Sequence, residues 1–350
     1  MSRRLAPVAA LLTAVAVLAA GCSASTATAD ADASVTIRYQ GSAGQVTLAE
    51  LADDLGYFEE VTLEWVGDTT SGPQDIQSAA TGQTDVGGAF NGAIAKLVAA
   101  GSPITSVISY YGSDDLAFNG YYVLDGSPIR TAQDLIGKKV GMNTLGAHHE
   151  FVVREWLAQE GLTPAEIAQV ELIVVPPVST EQALREGQID VGTLGSVFRD
   201  SALERGGLRE LFTDTSLYGE FSYGTLVFRD DFLAEHPAAA EDFVQGVARA
   251  IRWTQTQPRE AVIARFEQII EGRDREESTD LVQYWKSAGV AGPGGVIDPQ
   301  EISIWTDWLV REGTLDEGQL DPEDLYTNDL NPYANGTFDP TSGPDGEVLP

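Results

Sequence analysis

The sequence predicts an α/β protein built from two similar lobes, and three observations predict it. Over residues 34–230 short apolar runs alternate with stretches whose apolar residues recur at helical spacing, the pattern of largely parallel strands joined by helices. The hexapeptide Gly82-Gln83-Thr84-Asp85-Val86-Gly87 recurs 105 residues later as Gly187-Gln188-Ile189-Asp190-Val191-Gly192. Each copy follows a short helical stretch and leads into a small-residue turn, at Phe90-Asn91-Gly92 and at Leu194-Gly195-Ser196. Finally, 350 residues are more than one ordinary α/β core needs.

The chain opens with Arg3 and Arg4, then an uncharged run from Leu5 to Ala20 that is short for a bilayer span. This is the layout of a secretory signal. Leu18-Ala19-Ala20-Gly21-Cys22 resembles the bacterial lipobox, although Ala19 rather than leucine stands three before the cysteine. Cys22 is the only cysteine, so it forms no internal disulfide. The alternative to lipidation is a stray thiol in a flexible tail. The prediction is a signal peptide over 1–21, lipidation of Cys22, and a small-residue tether over 22–33. The body would then be extracytoplasmic, held by lipid alone to the outer face of the cytoplasmic membrane.

The remainder has the composition of a globular protein, 43% hydrophobic and 21% charged. Without Arg3 and Arg4, 19 basic residues stand against 53 acidic ones, a formal charge of −34. Such a surface repels phosphate backbones, which excludes nucleic acid as a partner.

Val35–Tyr39 reads as a strand that enters the loop Gln40-Gly41-Ser42-Ala43-Gly44. Thr131-Ala132-Gln133-Asp134 starts a short helix that stops at Gly137, and Lys139–Met142 is a strand. Val152, Val153, Trp156 and Leu157 share one helix face, ended by Gly161. Thr163-Pro164-Ala165-Glu166 carries a capping box with proline at the first position. Val170–Val175 reads as a buried strand, and Ser179 with Gln182 as the cap of the next helix. Tyr121–Leu124 and Gly224–Phe228 read as the two crossings between lobes. Residues 237–312 are mostly helical, with Phe243, Val247, Ala250 and Ile251 on one face and Ile302, Trp305 and Leu309 on another. Beyond Arg311 no basic residue occurs. The resulting division is 34–122 plus 225–335 for lobe 1, 123–224 for lobe 2, and 336–350 as a disordered tail.

Leu55-Gly56-Tyr57-Phe58, the repeated Gly-Gln-x-Asp-Val-Gly, Ser127-Pro128-Ile129 through Leu135-Ile136-Gly137-Lys138-Lys139-Val140, and Glu160-Gly161-Leu162-Thr163 occur in one order. In that order they resemble the binding proteins of ABC importers for alkanesulfonate, taurine and nitrate, a group that also holds pyrimidine-precursor binders. The resemblance covers roughly residues 34–270. It implies a type II periplasmic-binding-protein fold: two α/β lobes, two crossover strands and C-terminal helices packed on lobe 1. It also implies a monomer that clamps a small anionic solute by hinge closure and delivers it to ABC permease subunits. One departure is the Leu194-Gly195-Ser196-Val197 turn, where alkanesulfonate binders tend to carry tryptophan-aspartate-proline.

In such folds ligands collect at the carboxyl ends of strands, beside helix N-termini whose free N–H groups suit an anion. Four turns qualify. They nominate Gln40, Gly41 and Ser42; Asn91 and Gly92; Thr144, Gly146, His148 and His149; and Gly195 and Ser196. The family carries a histidine near the start of the matching helix, so the resemblance implies that His148 or His149 faces the ligand; otherwise both are first-turn helix residues. With only His236 elsewhere, the pair is too small a set for a metal, and no cofactor is expected. Arg199 pairs with an anion or lies on an ordinary helix surface. Tyr223 packs on a ligand or supports the hinge. An alternative ligand is a pyrimidine or other aromatic ring stacked on Tyr110, Tyr111 or Tyr223. A secreted enzyme is the remaining alternative, for which no G-x-S-x-G or H-E-x-x-H motif speaks.

Overall fold

Ile37 and Tyr39 are buried while their neighbours Thr36 and Arg38 turn outward, the two-residue alternation of a half-buried strand. That strand, β1 (Val35–Gly41), opens the computed structural model, which describes residues 34–349. The expected signal peptide, Cys22 and the tether lie outside the described residues. After β1 come α1 (Leu48–Asp54), β2 (Val61–Asp68), α2 (Gly72–Ala80), β3 (Val86–Phe90), α3 (Asn91–Ala99) and β4 (Ile104–Ser113). The middle of the chain holds β5 (Asn119–Leu124), β6 (Lys139–Met142), α4 (His148–Gln159), α5 (Pro164–Ile167), β7 (Glu171–Val174), α6 (Pro177–Arg185), β8 (Val191–Gly195), α7 (Ser196–Glu204), β9 (Leu208–Thr213) and α8 (Thr215–Tyr218). The return runs through β10 (Phe221–Arg229), α9 (Asp230–Glu235), α10 (Pro237–Thr256), α11 (Arg259–Gly272) and α12 (Gln300–Arg311).

Two lobes result. The first holds the parallel pair β1-β2 and the sheet β3-β10-β4; the second holds the sheet β7-β6-β8-β5-β9. The repeated hexapeptide plays the same part in each. Gly82 and Gly187 end a helix at φ 75° and 71°, where glycine carries no Cβ penalty. The aspartate then exchanges hydrogen bonds with the neighbouring strand. Asp85 N–H donates to Arg38 O at 2.9 Å while its carboxylate accepts the Arg38 N–H at 2.8 Å. Asp190 does the same with Lys139, at 2.9 Å for both bonds.

The chain crosses between sheets twice, but not on the strands the sequence suggests. β5 pairs wholly with β8 and β9, and β10 wholly with β3 and β4. The crossings are the short segments 114–118 and 214–220, a few residues ahead of the expected boundaries. Other corrections are local. Val170–Val175 is not a buried strand: β7 is the edge of its sheet, with Glu171 and Val174 exposed. Ser179 does not cap a helix, because α6 starts at Pro177, whose fixed φ suits the first turn. The helix at 131–137 is one 3₁₀ turn, Ala132–Leu135, while the capping box at Thr163 and Glu166 forms as expected.

α10 and α12 pack on the first lobe, and Trp305 of α12 also ties the lobes together. Its ring lies edge-on to Phe90 at 4.5 Å and to Phe151 of α4 at 4.2 Å. The last residues are not disordered. Arg252 donates to Ser342 O at 2.6 Å, Tyr333 hydroxyl to Gly343 O at 2.9 Å, and Arg249 pairs with Asp345. The acidic, turn-rich composition misleads there because α10 supplies the basic partners that the tail itself lacks.

Candidate functional site

Two adjoining cavities, of about 310 and 300 Å³, lie where the lobes meet and share Gln45, Tyr111 and Ser196. The first is walled by the loop after β1, by α2, by Tyr110 and Tyr111 at the end of β4, and by residues 281–288. Its shape depends on Gly87 and Gly88. A Cβ on Gly87 would stand 2.6 Å from the Asp75 carbonyl, and one on Gly88 would stand 2.5 Å from the Tyr110 hydroxyl. Without those side chains α2 lies directly on β3, and the Gly88 N–H donates to Asp75 Oδ2 at 2.7 Å. Asp75 Oδ1 is buried without a protein partner, and so is the Gln40 side-chain carbonyl oxygen on the same wall.

Among the described residues, Asp75 is the only formally charged one lining this cavity. Burial pushes its carboxyl up to about 7, only partly offset by the Gly88 N–H. No lysine or arginine compensates it from the wall. Arg273 and Arg275, behind Tyr39, are committed to Glu50 at 2.9 Å each, and Tyr39 hydroxyl donates to the same carboxylate at 2.8 Å.

The second cavity lies against the first turns of α4 and α7. Neither helix has a side-chain cap at its N-terminus. Ser196, the first residue of α7, sits at φ 46°, a conformation that costs a non-glycine residue about 1–3 kcal/mol and clusters at ligand sites. Beside it, Thr193 Oγ1 and the Nδ1 atoms of His148 and His149 are buried without protein partners.

The other faces of the two imidazoles are tied to the crossings. His148 Nε2 lies 2.9 Å from Asp214 Oδ2, and His149 Nε2 lies 3.1 Å from Asn119 Oδ1. Burial and the neighbouring His148 lower the His149 imidazole to about 3, against the pull of Asp214, so it is neutral at physiological pH. Asp214 is fully buried and also accepts Ser113 hydroxyl at 2.7 Å, the Asn119 amide at 2.8 Å and the Thr215 N–H at 2.8 Å. Burial alone would raise its carboxyl; the hydrogen bond and charge of His148, with Ser113 and Asn119, hold it below the usual range instead. Ser113 and His148 contact the same oxygen of Asp214, so the serine does not sit on the histidine as a nucleophile on its base would.

The nominated residues divide. Gln40, Gly41 and Ser42 line the first cavity; Thr144, His148, His149, Gly195 and Tyr223 line the second, and Ser196 lines both. Asn91 does not: its amide donates to Glu301 O and accepts from Thr225, inside lobe 1. Gly92 lies in α3 over the Phe90 ring. Gly146 spends its N–H on Glu150 and its carbonyl on Lys96. Arg199 is neither an anion ligand nor surface, for it is buried and donates to Leu116 O and Phe118 O of the first crossing. Asp75, Thr193, Asn119 and Asp214 escape sequence reasoning, because no motif marks an acid in the first turn of a helix, a threonine within a strand or a polar residue beside a crossing. Among the described residues, no three His, Cys, Asp or Glu side chains gather as a metal set.

The family model described as NMT1/THI5 like matches residues 45–261. Among curated proteins, the chain is 27% identical over 226 residues to the 4-amino-5-hydroxymethyl-2-methylpyrimidine phosphate synthase of Candida albicans (strain WO-1), covering 60% of this chain and 64% of that one. It is also 27% identical over 194 residues to a putative aliphatic sulfonates-binding protein of Escherichia coli (strain K12), covering 54% and 56%. The matches thus span about three fifths of those relatives' lengths. Among solved structures, the alkanesulfonate-binding protein SsuA from Xanthomonas axonopodis pv. citri, bound to MOPS, superposes with a TM-score of 0.65 at 18% identity, over 85% of this chain and 98% of that one. The fold is that of the periplasmic binding proteins.

Proposed function

Because the chain belongs to the NMT1/THI5-like family, we propose that it is a solute-binding protein that closes its lobes on a small organic molecule and delivers it to an ABC importer. The observation that carries this is the pair of communicating cavities between the lobes, lined from both sheets and joined at Tyr111 and Ser196. The uncapped first turns of α4 and α7, with the Thr193 hydroxyl, suit an acceptor or anionic group such as a sulfonate or carboxylate. The aromatic walls around Tyr110 and Tyr111 suit an apolar or ring-bearing body, which favours an organic solute over nitrate. The protein acts as a monomer and binds without turning its ligand over.

The same reading places the protein outside the cytoplasm, its signal removed and Cys22 lipidated so that 22–33 tether the lobes beside the permease. Among the described residues no helix is long and apolar enough to cross a membrane. Cys22→Ala is expected to release the folded protein into the medium; retention on the membrane would count against the anchor.

Binding is tested by a thermal-shift panel of taurine, longer alkanesulfonates, nitrate and aminopyrimidines. Ligand at 100 times its Kd adds about 2.7 kcal/mol of stability. A shift with one class assigns it. No shift with any, together with formation of a pyrimidine phosphate, would replace transport by the synthase reading that the Candida relative's name represents.

A further inference from the structure

The first cavity pairs aromatic walls with two acceptors that no protein donor satisfies. Asp75 Oδ1 and Gln40 Oε1 are both buried and both unpartnered, and both belong to that one wall. Native proteins rarely leave such atoms unmatched, since a buried acceptor without a donor costs about 1–3 kcal/mol. Asp75 Oδ2 is held by the Gly88 N–H, which fixes the carboxylate in its position on the wall. The groups that face it with a titratable proton are the Tyr110 and Tyr111 phenols, both pushed well above their ordinary range by burial and so neutral donors at most. Tyr110 lies edge-on to Tyr111 at 4.6 Å, and both line the cavity with the carboxylate. Among the described residues, the lining contributes no positive charge.

An anion is repelled by this wall, and a neutral apolar body leaves both acceptors unpaired. We propose that this end of the cleft is a subsite for a planar nitrogen cation, an amidinium, guanidinium or protonated amino-heteroaromatic ring, which donates N–H bonds to Asp75 and Gln40 and lies against the tyrosines. The inference rests on the reading of the protein as a solute binder and adds the chemical class of one end of the solute. Together with the helix N-termini of the second cavity, it gives the cleft opposite polarities at its two ends, matched by a solute with a cationic and an acceptor end. Cation–π attraction and charge-assisted hydrogen bonding both strengthen once water is excluded. A cation also relieves the carboxyl that burial has pushed up to about 7, so its entry below that pH expels the Asp75 proton.

The test is calorimetric titration of the full chain with benzamidine and with its neutral analogue benzamide, at pH 6 and pH 8, alongside taurine as an anion-bearing control. Benzamidine is expected to bind at least about 10-fold tighter than benzamide at pH 8, which is about 1.4 kcal/mol. At pH 6 the preference shrinks and binding releases a proton, read from buffers of different ionisation enthalpy. Asp75→Asn should erase the preference while its melting curve shows a folded protein. Gln40→Leu should weaken benzamidine several-fold and leave benzamide unchanged. Equal affinities for the two probes, or a preference that survives Asp75→Asn, would overturn the cation subsite while leaving the solute-binding reading in place. Failure of every probe, taurine included, would overturn both.

Discussion

The imidazole of His148 lies flat on the phenol of Tyr223, ring centroids 3.7 Å apart and planes within 3° of parallel. One ring begins α4 of the second lobe and the other lies in β10 of the first, so the stack bridges the lobes beside both crossings. Asn119 completes the junction by donating to the Tyr223 hydroxyl at 2.7 Å and to Asp214 at 2.8 Å. The junction between the two crossings is therefore a buried polar knot, whose members each depend on the others for a hydrogen-bond partner.

Asp214→Asn should destabilise the protein by about 2–4 kcal/mol, because an amide cannot accept all the donors that converge on the carboxylate. The pH dependence has a definite sign. A carboxyl held below its ordinary value contributes stability that is present above about pH 4 and lost as pH falls through the folded value. Urea unfolding between pH 7 and pH 3 should show wild type losing more stability than the variant; equal losses would remove Asp214 from the account.

Asp75 has the opposite sign. Its carboxyl is raised to about 7, so the folded protein holds a proton that the unfolded chain releases. The contribution of this group to stability falls as pH rises from about 4 to about 7. Asp75→Asn should flatten that part of the profile and raise the urea midpoint at pH 8. A lower midpoint at pH 8 would show that the carboxylate is compensated by a group other than those facing it.

Arg199 pins the first crossing through Leu116 O at 2.7 Å and Phe118 O at 3.1 Å, with its guanidinium 3.7 Å over the Phe118 ring. Arg199→Met should cost about 2–4 kcal/mol through the loss of buried, charge-assisted bonds. Arg199→Lys should recover less than half, since one ammonium does not reproduce a planar fork over an aromatic face. Denaturant titration of the two variants separates the fork from the charge.

Gly224 touches Tyr111 across the sheet: a Cβ there would stand 1.8 Å from the tyrosine ring. Gly224→Ala must displace Tyr111, which lines both cavities. Overpacking of this kind costs about 1–3 kcal/mol, and solute affinity should fall in parallel. Unchanged affinity would mean that Tyr111 contributes nothing to the cleft.

Sequence alone determined the α/β class and the two-lobed fold, and it named several residues that line the two cavities. A repeated Gly-Gln-x-Asp-Val-Gly is legible because its roles are local or nearly so: a left-handed helix end, then an aspartate that bonds the adjacent strand. The turns at Gln40, Thr144 and Gly195 are legible because strand ends meet helix starts within a few residues. Tertiary structure decided everything that joins residues distant along the chain. It turned Arg199 inward onto a crossing, took Asn91 away from the cleft to Glu301, and folded the acidic tail onto Arg249 and Arg252. It also aimed Asp75 into an aromatic wall. The physical reason is that a buried polar group takes its role from the partners it meets or lacks, and those partners lie tens to hundreds of residues away. Periodicity and spacing describe only what a residue does within its own element.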